Sequence, residues 1–416
     1  MNEIKAPKGT HDIFFPEIHK WQYLESAIHA YYQKYLFQEI RTPVFEHSEL
    51  FSRGIGSETE VVQKEMYTFR DKSDRSLTLR PENTASVVRS AIENNLFETM
   101  TPLRFYYFGP MFRYDKPQKG RYRQFHQFGV EVFADDSPQV DAEVIFAAVD
   151  FLKRIGIGEV QLDLNSVGCQ KCRPGYVQVL RQAAQAAEDK LCVDCRRKID
   201  GNPLRIFDCK KPGCAEASTG LPVIGDHLCP ECRDHFAAVR EALSWMNIPF
   251  RLESRLVRGL DYYTKTAFEV TSRQLGAQNA LLGGGRYDNL IRELGGPDMA
   301  GIGFAAGMER IVLHLEQLAL PRARALFVAY QDPQWLAHAM QLAQVLREEG
   351  YPVYVDYLGK NLKKQFKKAD RIEAAFTLVL AEDEIRSGTV SIKNMSSQEQ
   401  IKISLKELNA WLKKNY

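Results

Sequence analysis

The chain has 416 residues, 44% hydrophobic and 26% charged, with a formal net charge of +2. That length predicts about two to four domains, each with its own core, and the near-neutral balance excludes a global basic field, so any nucleic-acid contact has to come from local patches. The N-terminal MNEIKAPKGTHDIFF carries charges and prolines where a secretion signal needs an apolar core, and no apolar run reaches membrane-spanning length; a cytoplasmic, enzyme-sized protein is expected.

Residues 17–38 (EIHKWQYLESAIHAYYQKYLFQ) repeat apolar side chains at helical spacing after Pro16, which suits a helix start. EIRTPVFEHSELF reads as a strand with Pro43 at an edge or bulge. Residues 77–98 give a short strand, the turn RPENTA (80–85) and a helix from about Thr84. In that turn Thr84 suits a helix N-cap, and the Glu82 carboxylate suits an ammonium group held by charge-assisted hydrogen bonds.

The stretch from Arg104 to Phe133, RFYYFGPMFRYDKPQKGRYRQFHQFGVEVF, is the most informative. Two aromatic-rich arms flank a polar loop of Asp115, Lys116, Pro117, Gln118, Lys119 and Gly120, the signature of a β-hairpin with a long turn. Arg113, Arg121, Arg123, Gln127 and Glu131 lie along it, and Gln127, Gly129 and Glu131 share a face because strand side chains alternate. Guanidinium forks, an amide and a carboxylate beside aromatic rings suit a triphosphate next to an amino acid better than a plain core. A helix over 139–155 and a strand near Val160–Leu164 follow.

All eight cysteines fall between Cys169 and Cys232, as Cys169/Cys172, Cys192/Cys195, Cys209/Cys214 and Cys229/Cys232. A reducing cytosol disfavours disulfides, so repeated C-x-x-C pairs point to metal. Tetrahedral zinc takes four thiolates, two from each pair, and eight cysteines could fill two sites in a pairing the spacing leaves open. The alternative is reduced, partly buried cysteines packing as small hydrophobes. A redox role is the weaker fit, because no single pair stands alone at a strand-to-helix junction. From Cys169 to about Asn247 the pattern is helical with Pro/Gly interruptions and reads as an insertion.

Strand character returns with FRLESRLVRGLDYYTKTAFEV and continues to GGGRYDNL. Arg258, followed by Gly, Asp261 and the pair Tyr262 and Tyr263, is an unusual load for a strand region; the plain alternative is a surface arginine paired with Asp261 beside core tyrosines. In GIGFAAGMERI (301–311) small residues let a flat ring or ribose approach the backbone, and Arg310 offers a second guanidinium for the polyphosphate read from Arg113. Strand-on-helix packing is the alternative there, and no early βαβ unit makes these glycines a dinucleotide fingerprint. Leu320–Pro321 reads as a linker to a β-α-β-α-β-like module. Within it, NLKKQFKKADRI sets Leu362, Phe366 and Ala369 on a core face and Lys363, Lys367 and Arg371 one turn apart on another, with Lys360, Lys364 and Lys368 adding to the basic side. Such a face is solvated by default and becomes an RNA contact if the rest of the chain handles RNA.

Together these segments resemble the histidyl-tRNA synthetase family of class II aminoacyl-tRNA synthetases. KGTHD, TPVFE as the dimer-forming first motif, FRYDKPQKGRYRQFHQFGVE as the second and GIGFAAGMERI as the third carry the likeness, while LVRGLDYY and GGGRYDNL resemble the histidine-specific signatures. The resemblance implies an α+β fold: a six- to seven-stranded antiparallel sheet flanked by helices, split as 1–168 and 249–320 around a Cys-rich helical insertion (169–248), then a C-terminal α/β anticodon-binding domain (325–416). It implies a cytoplasmic homodimer that uses ATP and Mg²⁺ to attach L-histidine to tRNA(His) through a histidyl-adenylate. By position, Arg113 would hold the α-phosphate, Arg121 and Arg310 the β/γ end, and Arg258 the α-phosphate from the other side. Glu82, Thr84, Gln127, Glu131, Arg258, Tyr262 and Tyr263 would line the histidine pocket, and Lys116 and Gln118 would approach the acceptor end of the tRNA.

Two positions depart from the family pattern: Asn83 stands where a glycine is expected, and Lys116 where an arginine often sits. A synthetase-like regulatory subunit of a histidine-biosynthetic phosphoribosyltransferase is the main rival; the presence of Arg113, Arg258, Arg310 and the C-terminal module argues against it. A zinc-dependent nucleic-acid-binding module would explain only residues 169–232.

Overall fold

Alternation of bulky apolar and small or polar residues along the strands decides which face of the main sheet is buried. The computed structural model describes residues 3–56, 59–118, 120–209, 211–273, 279–315, 324–358 and 361–416; Lys119, Lys360 and the expected linker Leu320–Pro321 lie outside them. In chain order the strands are β1 (Gln38–Glu39), β2 (Phe45–His47), β3 (Tyr67–Arg70), β4 (Ser76–Leu79), β5 (Arg104–Phe112), β6 (Gln124–Phe133), β7 (Gln161–Ser166) and β8 (Arg251–Leu252). They continue with β9 (Thr264–Thr271), β10 (Ala280–Arg286), β11 (Gly301–Gly307), β12 (Leu326–Tyr330), β13 (Val353–Val355), β14 (Phe376–Leu380), β15 (Thr389–Asn394) and β16 (Gln400–Ser404). Two compact units divide after Leu320.

The first unit is built on an eight-stranded sheet in the order β1-β5-β6-β11-β10-β9-β7-β8. Its six central strands pair antiparallel, and the short β1 and β8 add in parallel at the edges, which extends the expected count by two-residue ends. One face carries Phe128, Val130, Leu162, Leu164, Phe268, Val270, Leu282 and Phe304, buried with Trp21, Leu24, Ile28 and Tyr32 of the helix Ile18–Tyr32 and with Phe151 and Leu152 of the helix Pro138–Arg154. Each such large side chain removed from water contributes roughly 1.5–3 kcal/mol. The long helix expected over 17–38 ends early, in a 3-10 turn at Gln33–Tyr35 with Leu36 left-handed (φ 60°).

A buried ion pair pins the helix Pro138–Arg154 to this sheet. Arg286, at the end of β10, and Asp141 are both fully buried and hydrogen-bonded. Arg286 also donates to the carbonyls of Asp135 (3.0 Å) and Ser137 (3.2 Å), and Asp141 accepts from Thr266 Oγ1 (2.6 Å) and pairs with His235 Nε2 (2.9 Å).

Three expectations change here. TPVFEHSELF is a three-residue strand, β2, running directly into the helix Ser48–Ile55, and β2 joins β4 and β3 in a small separate sheet. Residues 253–263, expected as strand, form a loop between β8 and β9. In the second unit, a five-stranded sheet ordered β13-β12-β14-β15-β16, the buried residues of the helix Leu362–Arg371 are Gln365 and Ala369, while Leu362 and Phe366 are only half-buried. Gln365 belongs inside because its amide spans the β12 backbone, donating to the Tyr330 carbonyl (2.7 Å) and accepting from the Tyr330 N–H (3.1 Å). Lys363, Lys364, Lys367 and Arg371 are exposed, and Lys368 turns back to Asp356 at 3.0 Å.

Candidate active site

The face of the sheet opposite the core is stripped of side chains at its centre. Register aligns Tyr107, Gly129, Ala305, Gly283 and Glu269 in one row, and Phe105, Glu131, Gly303, Gly285 and Ala267 in the next. Gln127, Gly129 and Glu131 do share this face, as the alternation along β6 predicts. Above it opens a cavity of about 1530 Å³ whose walls include Glu82, Thr84, Arg113, Arg121, Gln127, Arg258, Tyr262, Tyr263 and Arg310. Two floor positions have no room for a side chain: a Cβ on Gly283 would overlap the Arg258 guanidinium, and one on Gly303 would overlap Glu131 Oε2 and the Val130 carbonyl.

One end of the cavity is cationic. Arg113 sits just past β5, donates to the Pro81 carbonyl (2.8 Å) and lies 5.4 Å from the Phe125 ring centre. Burial, followed by repulsion from Arg121 and Arg113, pulls Arg310 below its ordinary value, so these three guanidinium groups share one field. Mutual repulsion of this kind is relieved by a bound polyanion. Arg121 pairs with Asp115 across the hairpin loop. Arg123, read from the sequence beside them, is structural: its guanidinium lies 4.0 Å from the Tyr114 ring centre and donates to the Asp115 carbonyl (3.2 Å).

The other end is built on RPENTA. Glu82, not Thr84, caps the following helix: its carboxylate accepts from the N–H groups of Thr84 (2.7 Å) and Ala85 (3.0 Å). Thr84 Oγ1 is thereby released to donate to Glu131 (2.8 Å). Asn83 has an ordinary φ of −114°, so the turn does not need a glycine; its side-chain oxygen accepts from Thr42 Oγ1 (2.7 Å) and Arg80 (3.1 Å). Glu131 is buried one layer behind the cavity wall, hydrogen-bonded also to Tyr287 and Tyr107. Burial above all, then the nearby Glu82, pushes its carboxyl up to about 8 against the pull of those hydroxyls. Burial raises Glu82 as well, against its two backbone donors. Gln127 Oε1 is buried in the wall with no hydrogen-bond partner among the described residues, and such an acceptor is worth about 1–3 kcal/mol to a ligand that donates to it.

Arg258 comes from the loop between β8 and β9. Its partner is Glu269 on β9 (2.5 Å), not Asp261. Asp261 is held instead by Arg205 (2.7 Å) and Asn202 (3.1 Å) of the insertion. Tyr262 and Tyr263 pack with Tyr287 and also line the cavity. GGGRYDNL likewise divides: Gly283 and Gly285 lie on the open face and Gly284 beside Phe268 and Phe304 on the core face, while Tyr287 reaches Glu131 and Arg286 turns to the core side and Asp141. Lys116 and Gln118 are exposed at the tip of the hairpin, where Gln118 and Arg121 close the turn through reciprocal backbone bonds of 3.0 and 2.9 Å. Lys363, Lys367 and Arg371 belong to the second unit.

Sequence reasoning missed Glu65, Glu269 and Glu309. Glu269 alternates with Lys265 and Ala267 along β9, a signal that could have placed it beside Arg258. Glu309 accepts from the His126 N–H at 2.8 Å and ties the hairpin to the helix Met308–Leu315; nothing local marks that contact.

A family model described as histidyl-tRNA synthetase matches residues 9–192 and 225–311, leaving out the segment that holds Cys195, Cys209 and Cys214. An anticodon-binding-domain model matches residues 326–415. The chain is 46% identical to a histidine–tRNA ligase of Halothermothrix orenii over 98% of both chains, and 47% identical to one of Desulforamulus reducens over 98% of both. Its structure resembles that of apo histidyl-tRNA synthetase from S. aureus with a TM-score of 0.82, at 38% identity over 99% of this chain and 100% of the other. A Bacillus halodurans structure titled as an ATP phosphoribosyltransferase regulatory subunit/histidyl-tRNA synthetase shares the fold at 19% identity, 92% coverage of this chain, 98% of that one and a TM-score of 0.64.

Proposed function

The chain belongs to the histidyl-tRNA synthetase family, and from that premise we propose how its cavity performs the reaction. The protein is an aminoacyl-tRNA synthetase that attaches L-histidine to tRNA(His); the regulatory-subunit reading is not favoured, since full-length relatives at this identity are ligases. The observation that carries the mechanism is the set of Arg113, Arg121, Arg258 and Arg310 around a floor of Gly283, Gly303 and Ala305.

ATP lies against that floor, with Arg113 on the α-phosphate and Arg121 and Arg310 on the β/γ end. Histidine occupies the end lined by Glu82, Thr84, Gln127, Tyr262 and Tyr263, with Glu131 behind them and Arg258 between the two substrates. The histidine carboxylate displaces pyrophosphate in line, giving histidyl-adenylate, and the terminal ribose of the tRNA then takes the histidyl group. No protein nucleophile is needed: fixed guanidinium charge stabilises the equatorial phosphate oxygens as charge builds. Glu65 and Glu309 in the cavity wall are oxygen donors of the kind that would hold Mg²⁺, which when bound would supply further charge neutralisation beside the phosphates. Histidine-dependent ATP–pyrophosphate exchange by the purified protein tests this reading; histidine binding without exchange would return it to the regulatory class.

The raised Glu131 carboxyl has a consequence for binding. Unfolded it titrates near 4.5 and folded near 8, so the stability gained by holding its proton is complete below the unfolded value and is lost as pH rises through about 8. A cationic group of histidine beside it favours the carboxylate and drives the proton off. Calorimetry near pH 7, in buffers of different ionisation heat, is expected to register net proton release on histidine binding, and Glu131→Gln to reduce it. Equal heats in all buffers would rule this out.

Around the core we assign 1–168 and 249–320 to catalysis, 169–248 to an insertion and 325–416 to anticodon binding, with Lys363, Lys367 and Arg371 on RNA phosphates and Lys116 and Gln118 at the acceptor end. The exposed apolar residues Phe45 and Phe69 of the small sheet, with Val44 just before it, support a homodimer joined through the first motif, for which sedimentation equilibrium should return twice the chain mass. Among the described residues no helix is long and apolar enough to cross a membrane, in keeping with a cytoplasmic place.

A further inference from the structure

The cysteines of the insertion converge in two groups of four. Cys169, Cys172, Cys229 and Cys232 make one, Cys192, Cys195, Cys209 and Cys214 the other, and within each group all sulfurs lie within 4.8 Å of one another. In the first, Cys169 Sγ is 3.8 Å from both Cys172 Sγ and Cys229 Sγ, and Cys172 Sγ is 3.9 Å from Cys232 Sγ. All eight are free thiols, far outside the roughly 2.05 Å of a disulfide. Four sulfurs at about 2.3 Å from a tetrahedral ion stand about 3.8 Å apart, which is the spacing found. Backbone N–H groups already aim at these sulfurs: Cys169 N–H and Lys171 N–H at Cys172 Sγ (3.1 Å) and Cys169 Sγ (3.4 Å), and Cys192 N–H at Cys214 Sγ (3.1 Å).

We propose that the insertion binds two zinc ions, each through four cysteine thiolates, in a nested arrangement: the outer pairs Cys169/Cys172 and Cys229/Cys232 share one ion, and the inner pairs Cys192/Cys195 and Cys209/Cys214 the other. Binding releases the four thiol protons at each site and leaves a charge of about −2 on the centre. Lys171, Lys211 and the half-buried Arg173 lie where they offset that charge. The small insertion gains a second source of folding energy besides its thin apolar core of Tyr176, Leu180, Ile199, Ile206 and Leu228.

The two ions act on the same loop. Arg173, next to Cys172, donates to the carbonyls of Val167 (3.1 Å) and Tyr263 (2.5 Å). Asn202 and Arg205, in the segment the inner ion closes off between Cys195 and Cys209, hold Asp261. Both therefore fix residues 258–263, with Arg258, Tyr262 and Tyr263; this consequence, unlike the metal sites themselves, rests on the active-site reading above.

Zinc is counted by plasma mass spectrometry on the full chain, produced with zinc present and gel-filtered without chelator. The wild type is expected to carry two ions. Cys169→Ser with Cys229→Ser, both in the outer group, keeps one; Cys169→Ser with Cys192→Ser, one in each group, keeps none. Fewer than two ions in the wild type overturns the proposal, and the reverse order of the two variants overturns the nested pairing in favour of pairs joined in sequence. Should the variants fail to fold, the wild type loaded with cobalt decides: tetrathiolate charge-transfer bands support the sites and their absence overturns them. The count is read whether or not the protein exchanges pyrophosphate, so a failure here and a failure of the catalytic reading are told apart. Cys209→Ser with Cys214→Ser is expected to raise the KM for histidine about tenfold, with a smaller rise in the KM for ATP; equal changes in both would overturn the link to the loop.

Discussion

Replacing Arg258 with alanine is expected to lower kcat/KM for histidine-dependent pyrophosphate exchange about 10³-fold without unfolding the protein. The side chain borders the cavity rather than the core, and its ion-pair partner, Glu269, also lines the cavity. Burial works against the charge on Arg258, and Glu269 more than restores it, so the guanidinium stays charged and aimed before any substrate arrives. Preorganised charge of this kind needs no rearrangement as the transition state forms, which is why its removal falls on kcat. Arg258→Lys should recover only part of the loss, since an ammonium keeps the charge but not the planar fork. Gly283→Ala tests the same geometry from below: its methyl must displace the guanidinium, and a displacement of that order is worth about 10²-fold. An Arg258→Ala protein that exchanges at the wild-type rate would remove this residue from the chemistry.

Asp141→Asn is expected to be the most damaging single change to stability, at about 3 kcal/mol, because it leaves the fully buried Arg286 with only the half-buried Asp288, 3.2 Å away, to balance its charge. Burial by itself would raise the Asp141 carboxyl, but His235 and Arg286 overcome it and hold the group below its ordinary 3.8. The stability this contributes is present above the unfolded value near 3.8 and disappears as pH falls through the lower folded one. Urea titrations from neutral pH into acid should therefore show a falling limb in the wild type that is flatter in Asp141→Asn. Exchanging both partners for apolar residues of similar size should be less harmful than removing either one. A loss below about 1 kcal/mol for Asp141→Asn would place the pair with ordinary surface bridges.

Periodicity in the sequence was enough to find the hairpin, the face shared by Gln127, Gly129 and Glu131, the helix after RPENTA and the alternating strands and helices of the second unit. It says which way a residue points and not what it meets. Arg286 and Asp141 are 145 residues apart, and the partner of Arg258 is chosen by the register of β9 against β10; neither is written in a local pattern. The cap after RPENTA went to Glu82 rather than Thr84 because Thr84 is itself the first helical residue, so the N–H groups in need are its own and that of Ala85, which a carboxylate two residues upstream reaches; propensity alone does not fix that start. RGLDYY, aromatic and apolar enough for a strand, is a loop because the insertion ties it down through Asp261 and the Tyr263 carbonyl. Likewise the cysteine spacing points to tetrathiolate sites, while the grouping of the pairs depends on how the insertion's helices return to one another.

The glycines at the centre of the sheet, Gly129, Gly283, Gly285 and Gly303, have a further meaning for how this sequence can drift. A glycine has nothing to lose, so every substitution there is an enlargement, and scanning by truncation, which maps binding sites by subtraction, cannot register what these positions do. Their role becomes visible only by addition, one methyl at a time, and the order in which such additions silence the protein would rank how closely Tyr107, Arg258, Tyr263 and Glu131 are drawn down onto them.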